Sequence, residues 1–284
     1  MYPASFEYLV PNSVQDAISL LGQHGEDAKL LAGGHSLIPA MKLRLQEPKY
    51  LIDISRLPGM AGIREDGDKL VIGALTLHAD VAASDVVARR VPGLAYCASR
   101  IGDVQVRNRG TIGGSVAHAD PNADYPVMLL ALGATIVATG PNGNRTIAVD
   151  DFFVDLFTTA LEADEVVTEI HVPFAPGSAY AKFPHPASGY LVVSSGAVLT
   201  KDSSGNCASA RVAVGGLAGK PVRASAVESA LAGQPLNADS ISAAASHAAD
   251  ETDPDDDIYA SAAYKKHIAT VFARRAIEEA AGRI

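Results

Sequence analysis

The chain opens on two short apolar runs of strand character, F-E-Y-L-V (6–10) and A-K-L-L-A (28–32), with apolar residues at helical spacing between them. Ser13 followed by Asp16 marks a helix start, and Gly22 or Gly25 its end. A β-α-β opening results, and its second strand leads directly into a glycine pair. A helix through Met41 and Lys42 is predicted next, then a strand over 50–53. Residues 62–73 carry apolar ends around an Asp-Gly pair, the pattern of a hairpin. Helices are predicted over 76–83, 92–101 and 125–132, and a strand over 134–139 closed by a P-N-G-N turn.

A strand over 166–173 ends this first part, with F-A-P-G-S (174–178) as the crossing point. Beyond it the pattern is β, with runs over 190–200 and 208–217 around S-S-G-N, and then α. The last helix, from about 259 to 282, has an apolar stripe through Ile268, Val271, Phe272 and Ile277. The reading is an α+β protein with a first domain over 1–175, in subdomains of about 1–55 and 56–175, and a smaller α+β domain over 176–284.

Composition narrows the classes. A chain of 284 residues that is 48% hydrophobic can bury a full core. With 23 basic against 32 acidic residues the formal net charge is −9, which opposes nucleic acid and anionic membranes as partners. The start M-Y-P-A-S-F-E-Y has neither a basic nor an apolar signal region, and no run of eighteen apolar residues occurs, so no transmembrane segment and a cytoplasmic location are expected. Cys97 and Cys207 are too few for an iron–sulfur cluster and read as small apolar residues. The histidines follow no metal-binding spacing, and no metal is expected. The acidic run D-E-T-D-P-D-D-D (250–257) reads as a solvated linker, with partner docking as the alternative.

The chemistry lies in two glycine pairs, A-G-G-H-S (Ala32, Gly33, Gly34, His35, Ser36) and T-I-G-G-S (Thr111, Ile112, Gly113, Gly114, Ser115). Without a Cβ the main chain can approach a phosphate and turn its N–H groups on it, and Ser36, Thr111 and Ser115 add hydroxyls. Taken singly, each pair also fits a tight turn. Two together suit a diphosphate. Neither G-x-x-x-x-G-K-[ST] nor G-x-G-x-x-G opening a helix is present, so the commoner nucleotide motifs are excluded.

The segments L-L-A-G-G-H-S-L-I-P-A-M-K-L-R-L (30–45), L-I-D-I (51–54) and R-N-R-G-T-I-G-G-S-V-A-H-A-D-P-N-A-D-Y-P (107–126) resemble the FAD-binding medium subunits of the molybdenum hydroxylases, especially the aerobic carbon monoxide dehydrogenase branch. H-P-A-S-G-Y (185–190) and V-G-G-L-A-G-K-P-V-R (214–223) extend the resemblance over the whole chain. It implies a vanillyl-alcohol-oxidase (PCMH)-type FAD-binding domain of two subdomains, followed by a carbon monoxide dehydrogenase flavoprotein C-terminal domain. It also implies noncovalent FAD, with the loop from Ala32 through Leu37 and that from Thr111 to Ser115 on the pyrophosphate and neighbouring ribose. Ser115 stands where relatives often have Asn or Asp, and its hydroxyl cannot make the two-ended contact of an amide.

The resemblance further assigns Asp124 to a cofactor hydroxyl, Lys182 to the vicinity of the flavin and Tyr190 to a ring-facing position. From the residues alone, Asp124 equally suits a helix N-cap, Lys182 a solvated lysine and Tyr190 a core strand tyrosine. Lys42 and Arg44 could reach phosphate or line a surface helix. His35 is covalently bonded to flavin in oxidases of the berberine-bridge type that share G-G-H-S, and is a noncovalent neighbour in the molybdenum hydroxylases.

The family role is an electron outlet: a large molybdopterin subunit oxidises substrate, a small [2Fe–2S] subunit relays electrons to this FAD, and quinone or NAD accepts them, in a dimer of heterotrimers that could meet the inner membrane face peripherally. Carbon monoxide is the leading substrate, with purines, N-heterocycles and aldehydes as alternatives. The competing classes are a self-contained FAD oxidase and a nonenzymatic nucleotide-binding module.

Overall fold

Three short parallel strands start the fold, in the order β1 (Glu7–Leu9), β3 (Tyr50–Asp53), β2 (Ala28–Leu31). The computed structural model of the chain describes residues 2–284. Helix α1 (Val14–His24) joins β1 to β2; Ser13 accepts from the Asp16 amide at 3.0 Å, and Gly25, at φ 53°, ends it. Ala17, Ile18 and Leu21 are its buried face. The β-α-β expectation holds with one difference: β1 and β2 both pair with β3, which lies between them. Helix α2 (Leu37–Lys42) follows the first glycine pair.

The second sheet is antiparallel, in the order β4 (Ile63–Asp66), β5 (Lys69–Gly73), the strand Val166–Pro173, β6 (Thr135–Gly140) and β7 (Gly143–Ala148). Between β5 and β6 run six helices, α3 (His78–Ala83), α4 (Asp85–Arg90), α5 (Pro92–Ser99), α6 (Val104–Arg107), α7 (Ile112–His118) and α8 (Asp124–Leu132). Three of these, α4, α6 and α7, are too short to show a period in the sequence. Each is held at its start by a cap: the side chains of Ser84, Asp103 and Thr111 each accept a first-turn amide.

The C-terminal part is a four-stranded antiparallel sheet of Ser178–Pro184, Leu191–Lys201, Cys207–Gly215 and Val222–Arg223. The helix Ala262–Ala281 packs against its first two strands and, with Ser225–Leu231 and Ala238–Ala245, builds one core with it. Helix α8 packs on the sheet as well, and every one of its residues is buried, which explains a segment that is apolar all round after its first residue. Glycines in the strands permit the close seat: a Cβ on Gly215 would lie 2.3 Å from Val127 Cγ2, and one on Gly196 3.1 Å from Ala131 Cβ. Arg211, from the sheet, donates to the terminal carbonyls of α8 at Leu130 (2.9 Å) and Ala131 (3.2 Å) and pairs with Asp150 at 2.9 Å.

The last helix starts at Ala262, capped by Ser261, three residues later than expected, and Val271 is only partly buried beside the buried Ile268, Phe272 and Ile277. The acidic run is tied back to it, with Lys265 Nζ 2.7 Å from Asp257 and donating to the Asp255 carbonyl at 2.8 Å. Cys97 and Cys207 are buried thiols. Among the described residues no helix is long and apolar enough to cross a membrane.

Candidate functional site

The first glycine pair forms the turn between β2 and α2. Gly34 sits at φ +76°, a conformation that favours glycine. Among the described residues, the amides of Gly33, Gly34, His35, Ser36 and Leu37 donate to no protein acceptor. Successive free N–H groups in a turn are donors of the kind that suits an anion. Gly33, Gly34 and His35 of this run line a cleft of about 310 Å³ together with Lys42, Asp53 and Arg109. Lys42 therefore borders the cleft while remaining exposed, where the sequence favoured a plain surface helix. Asp53 accepts from the Ser55 amide at 2.8 Å and from the Tyr8 hydroxyl. Burial raises its proton affinity, but these hydrogen bonds outweigh it and hold the carboxyl below its usual range.

The second pair behaves differently from the expectation of a second open cradle. It is the first turn of α7, and its amides are committed inside the protein. Ile112 donates to Thr76 O (3.0 Å), Gly113 to Ala74 O (2.8 Å), Gly114 to Thr111 Oγ1 (3.1 Å) and Ser115 to Thr111 O (3.1 Å). Its glycines serve close packing instead: a Cβ on Gly113 would lie 2.4 Å from Ala74 Cβ. The two segments do meet. A Cβ on Gly33 would lie 2.3 Å from the Arg109 carbonyl oxygen and 2.7 Å from Gly110 Cα, so the first pair is pressed against the backbone leading into Thr111. Gly114 is exposed beside Ala32, and Ser115 is partly exposed. Beneath the junction, His78 is buried, its amide donating to Gly110 O at 3.0 Å. Burial, and then the charges of His35 and Arg107, push its pKa down to about 4.

Asp124, Lys182 and Tyr190 gather where α8 meets the C-terminal sheet. Asp124 is the first residue of α8 and caps nothing. Its buried carboxylate takes Lys182 Nζ at 2.8 Å from Oδ1 and 2.9 Å from Oδ2, and the Tyr180 hydroxyl at 2.7 Å. Lys182 also donates to the Arg100 carbonyl at 3.1 Å, and its side chain is 1% exposed. It is neither solvated nor free. Tyr190 lies just before the strand Leu191–Lys201 and is 46% exposed, so it is not a core residue; burial of its ring raises the phenol's proton affinity, and the charges of Asp120 and Asp124 raise it further.

The fold thus joins Ala32 through Leu37 with the segment entering Thr111, and groups Asp124 with Lys182 and Tyr190. Sequence reasoning missed Asp53, Arg109 and Tyr180. L-I-D-I pointed at Asp53 and R-N-R-G at Arg109 as parts of motifs, whereas nothing local marks Tyr180. The residues fit FAD: free amides and two cations suit a pyrophosphate, and a carboxylate beside them suits ribose hydroxyls. Among the described residues, no group of three or more His, Cys, Asp or Glu is placed to hold a metal ion.

Comparisons with known proteins place the chain in a family. Residues 4–175 match the FAD binding domain in molybdopterin dehydrogenase, and residues 178–280 the CO dehydrogenase flavoprotein C-terminal domain. The chain belongs to the family of FAD-binding subunits of molybdenum hydroxylases. It is 44% identical to the carbon monoxide dehydrogenase medium chain of Hydrogenophaga pseudoflava, over 99% of this chain and 98% of that one. The carbon monoxide dehydrogenase structure from the same organism superposes with a TM-score of 0.95 over 100% of this chain and 99% of that chain. The 6-hydroxypseudooxynicotine dehydrogenase complex subunit alpha of Paenarthrobacter nicotinovorans is 37% identical over 99% of this chain and 96% of that protein. These relatives fit an oxidoreductase subunit and not a self-contained oxidase with flavin on His35.

Proposed function

We propose that this chain is the FAD-carrying electron-transfer subunit of an aerobic carbon monoxide dehydrogenase. The carrying observation is the cleft at Gly33 to His35, lined by unpaired amides with Lys42 and Arg109, in a chain 44% identical to a carbon monoxide dehydrogenase medium chain. FAD supplies the step between one-electron donors and a two-electron acceptor. The chain's own groups bind and shape that cofactor. Amides of the first loop and the Ser36 hydroxyl take phosphate oxygens, Lys42 and Arg109 add charge, and Asp53 accepts from ribose hydroxyls. Ser115 supplies a donor from the second segment, and its committed neighbours Thr111 to Gly114 hold that segment against the first. The Asp124–Lys182 pair borders the flavin end, and Tyr190 covers the ring against solvent and oxygen.

Electrons arrive from a small [2Fe–2S] subunit after a large molybdopterin subunit has oxidised the substrate, in a dimer of heterotrimers, and leave to quinone or NAD. The complex is cytoplasmic, with any membrane contact peripheral. Carbon monoxide is favoured over purines, N-heterocycles and aldehydes because the higher identity is to the carbon monoxide enzyme. A substrate screen on the co-purified complex tests the assignment: carbon monoxide should give the highest turnover, and turnover of an N-heterocycle or aldehyde without carbon monoxide oxidation would move the chain to another branch.

A further inference from the structure

The Asp124–Lys182 pair is more closed than a lysine reaching for a ligand would be. Lys182 donates to Asp124 Oδ2 at 2.9 Å and to the Arg100 carbonyl at 3.1 Å, and its nitrogen lies 2.8 Å from Asp124 Oδ1 as an ion pair. The carboxylate in turn depends on two side chains, both from the strand Ser178–Pro184, and one is Tyr180. Tyr180 is itself fully buried, and in the sheet its strand runs beside Leu191–Lys201, at whose start Tyr190 stands. We infer that Tyr180 is a positioning residue of the flavin site: its hydroxyl holds the Asp124 carboxyl on Lys182 and favours its charged form, so the pair presents little net charge to the bound cofactor. The inference rests on the reading that this pair borders the flavin.

The physical reason lies in opposing forces on Asp124. Burial, the largest, raises its proton affinity and prevails; Lys182 and Tyr180 lower it, with Arg100 adding a smaller pull, so each partner that is removed lets protonation gain further. The other groups facing it, Cys97, Tyr125 and Tyr190, are buried or half-buried with their proton affinities raised, chiefly by burial, and bring no opposing charge. Without the Tyr180 hydroxyl, the carboxyl takes up a proton more readily. A neutral Asp124 leaves the Lys182 charge uncompensated, which favours added electrons on a nearby flavin.

The experiment is a redox titration of the full chain loaded with FAD at pH 6, 7 and 8, on wild type, Tyr180→Phe, Asp124→Asn and Lys182→Met, with melting curves as a fold control. Comparing each variant with wild type at the same pH cancels the flavin's own proton dependence. Tyr180→Phe should raise the potential, by an amount that grows as pH falls. Asp124→Asn should raise it at every pH without that growth, which keeps the test alive should Tyr180→Phe not fold. A structural role for Tyr180 would lower the melting temperature and leave the potential alone. Tyr180→Phe at the wild-type potential, with Lys182→Met shifted, overturns the inference and leaves the site reading standing. If neither variant shifts the potential, the pair does not border the flavin and that reading falls.

Discussion

Replacing Gly33 with alanine probes the contact that joins the two halves of the nucleotide cleft. The added Cβ would lie 2.3 Å from the Arg109 carbonyl oxygen, 2.7 Å from Gly110 Cα and 2.9 Å from the Arg109 carbonyl carbon. All three are backbone atoms, so no side chain can swing away. Non-bonded heavy atoms rest at roughly 3.5 Å, so the segments must part by about 1 Å. Overpacking of this kind costs about 1–3 kcal/mol, a loss of several degrees in melting temperature for a chain of this size. The same shift stretches any hydrogen bond spanning both segments beyond useful length. Losing one bond to a charged phosphate oxygen costs about 1.5–3 kcal/mol, so FAD should bind at least tenfold more weakly. Gly67→Ala is the control. Unlike Gly33 it sits at a positive φ, +62°, so alanine there carries backbone strain, but nothing lies within 4 Å of its Cβ, and it sits in the β4–β5 hairpin turn away from the cleft. Flavin fluorescence titration and melting curves on both variants give the comparison. Weaker FAD binding in Gly33→Ala alone supports the reasoning; wild-type affinity in Gly33→Ala would refute it.

Three further outcomes are expected. Lys42→Met should weaken FAD binding about threefold to tenfold with little change in melting temperature, because an exposed cation on phosphate is screened by water; unchanged affinity by titration would take Lys42 out of the site. His78 has an ordinary pKa near 6.5 unfolded and about 4 folded, so the unfolded chain binds more protons between these values and stability falls as pH drops from 6.5 to 4, by about 3 kcal/mol. His78→Gln should flatten that limb of the stability profile in denaturant titrations, and an unchanged limb would mean that His78 is not its source. Tyr190→Ala should retain FAD and, since the ring is 46% exposed, lose little stability, while the flavin band and its oxygen reactivity change; an unaltered spectrum would remove Tyr190 from the flavin.

The parts of this molecule that can be read along the chain are those set by local rules. The cap at Ser13, the turn at Gly67, the crossing at 174–178 and the buried apolar run of α8 each follow from a few neighbouring residues. The two glycine pairs were equally visible, but their difference was not. Glycines read as loop because they are poor helix formers, yet Thr111 caps a helix there whose first amides are spent on Ala74 and Thr76, residues nearly forty positions earlier. Asp124 and Lys182 were each recognisable through resemblance, while their ion pair, 58 residues apart in sequence, exists only because α8 seats on the C-terminal sheet. Tyr180 had no local signal: a tyrosine in an apolar strand reads as core, and only its bond to Asp124 sets it apart.

The most direct test of the electron-outlet role is anaerobic reduction of the FAD-loaded chain followed by its visible absorption. Carbon monoxide added to the chain alone should leave the flavin band intact, because among the described residues no group of three or more His, Cys, Asp or Glu is placed to hold a metal, and two buried thiols cannot assemble a cluster. Addition of the large molybdopterin and small [2Fe–2S] subunits should then bleach the band. Bleaching by carbon monoxide or any other hydroxylase substrate with the chain alone, or an intact band in the full complex as it turns over substrate, would contradict the account.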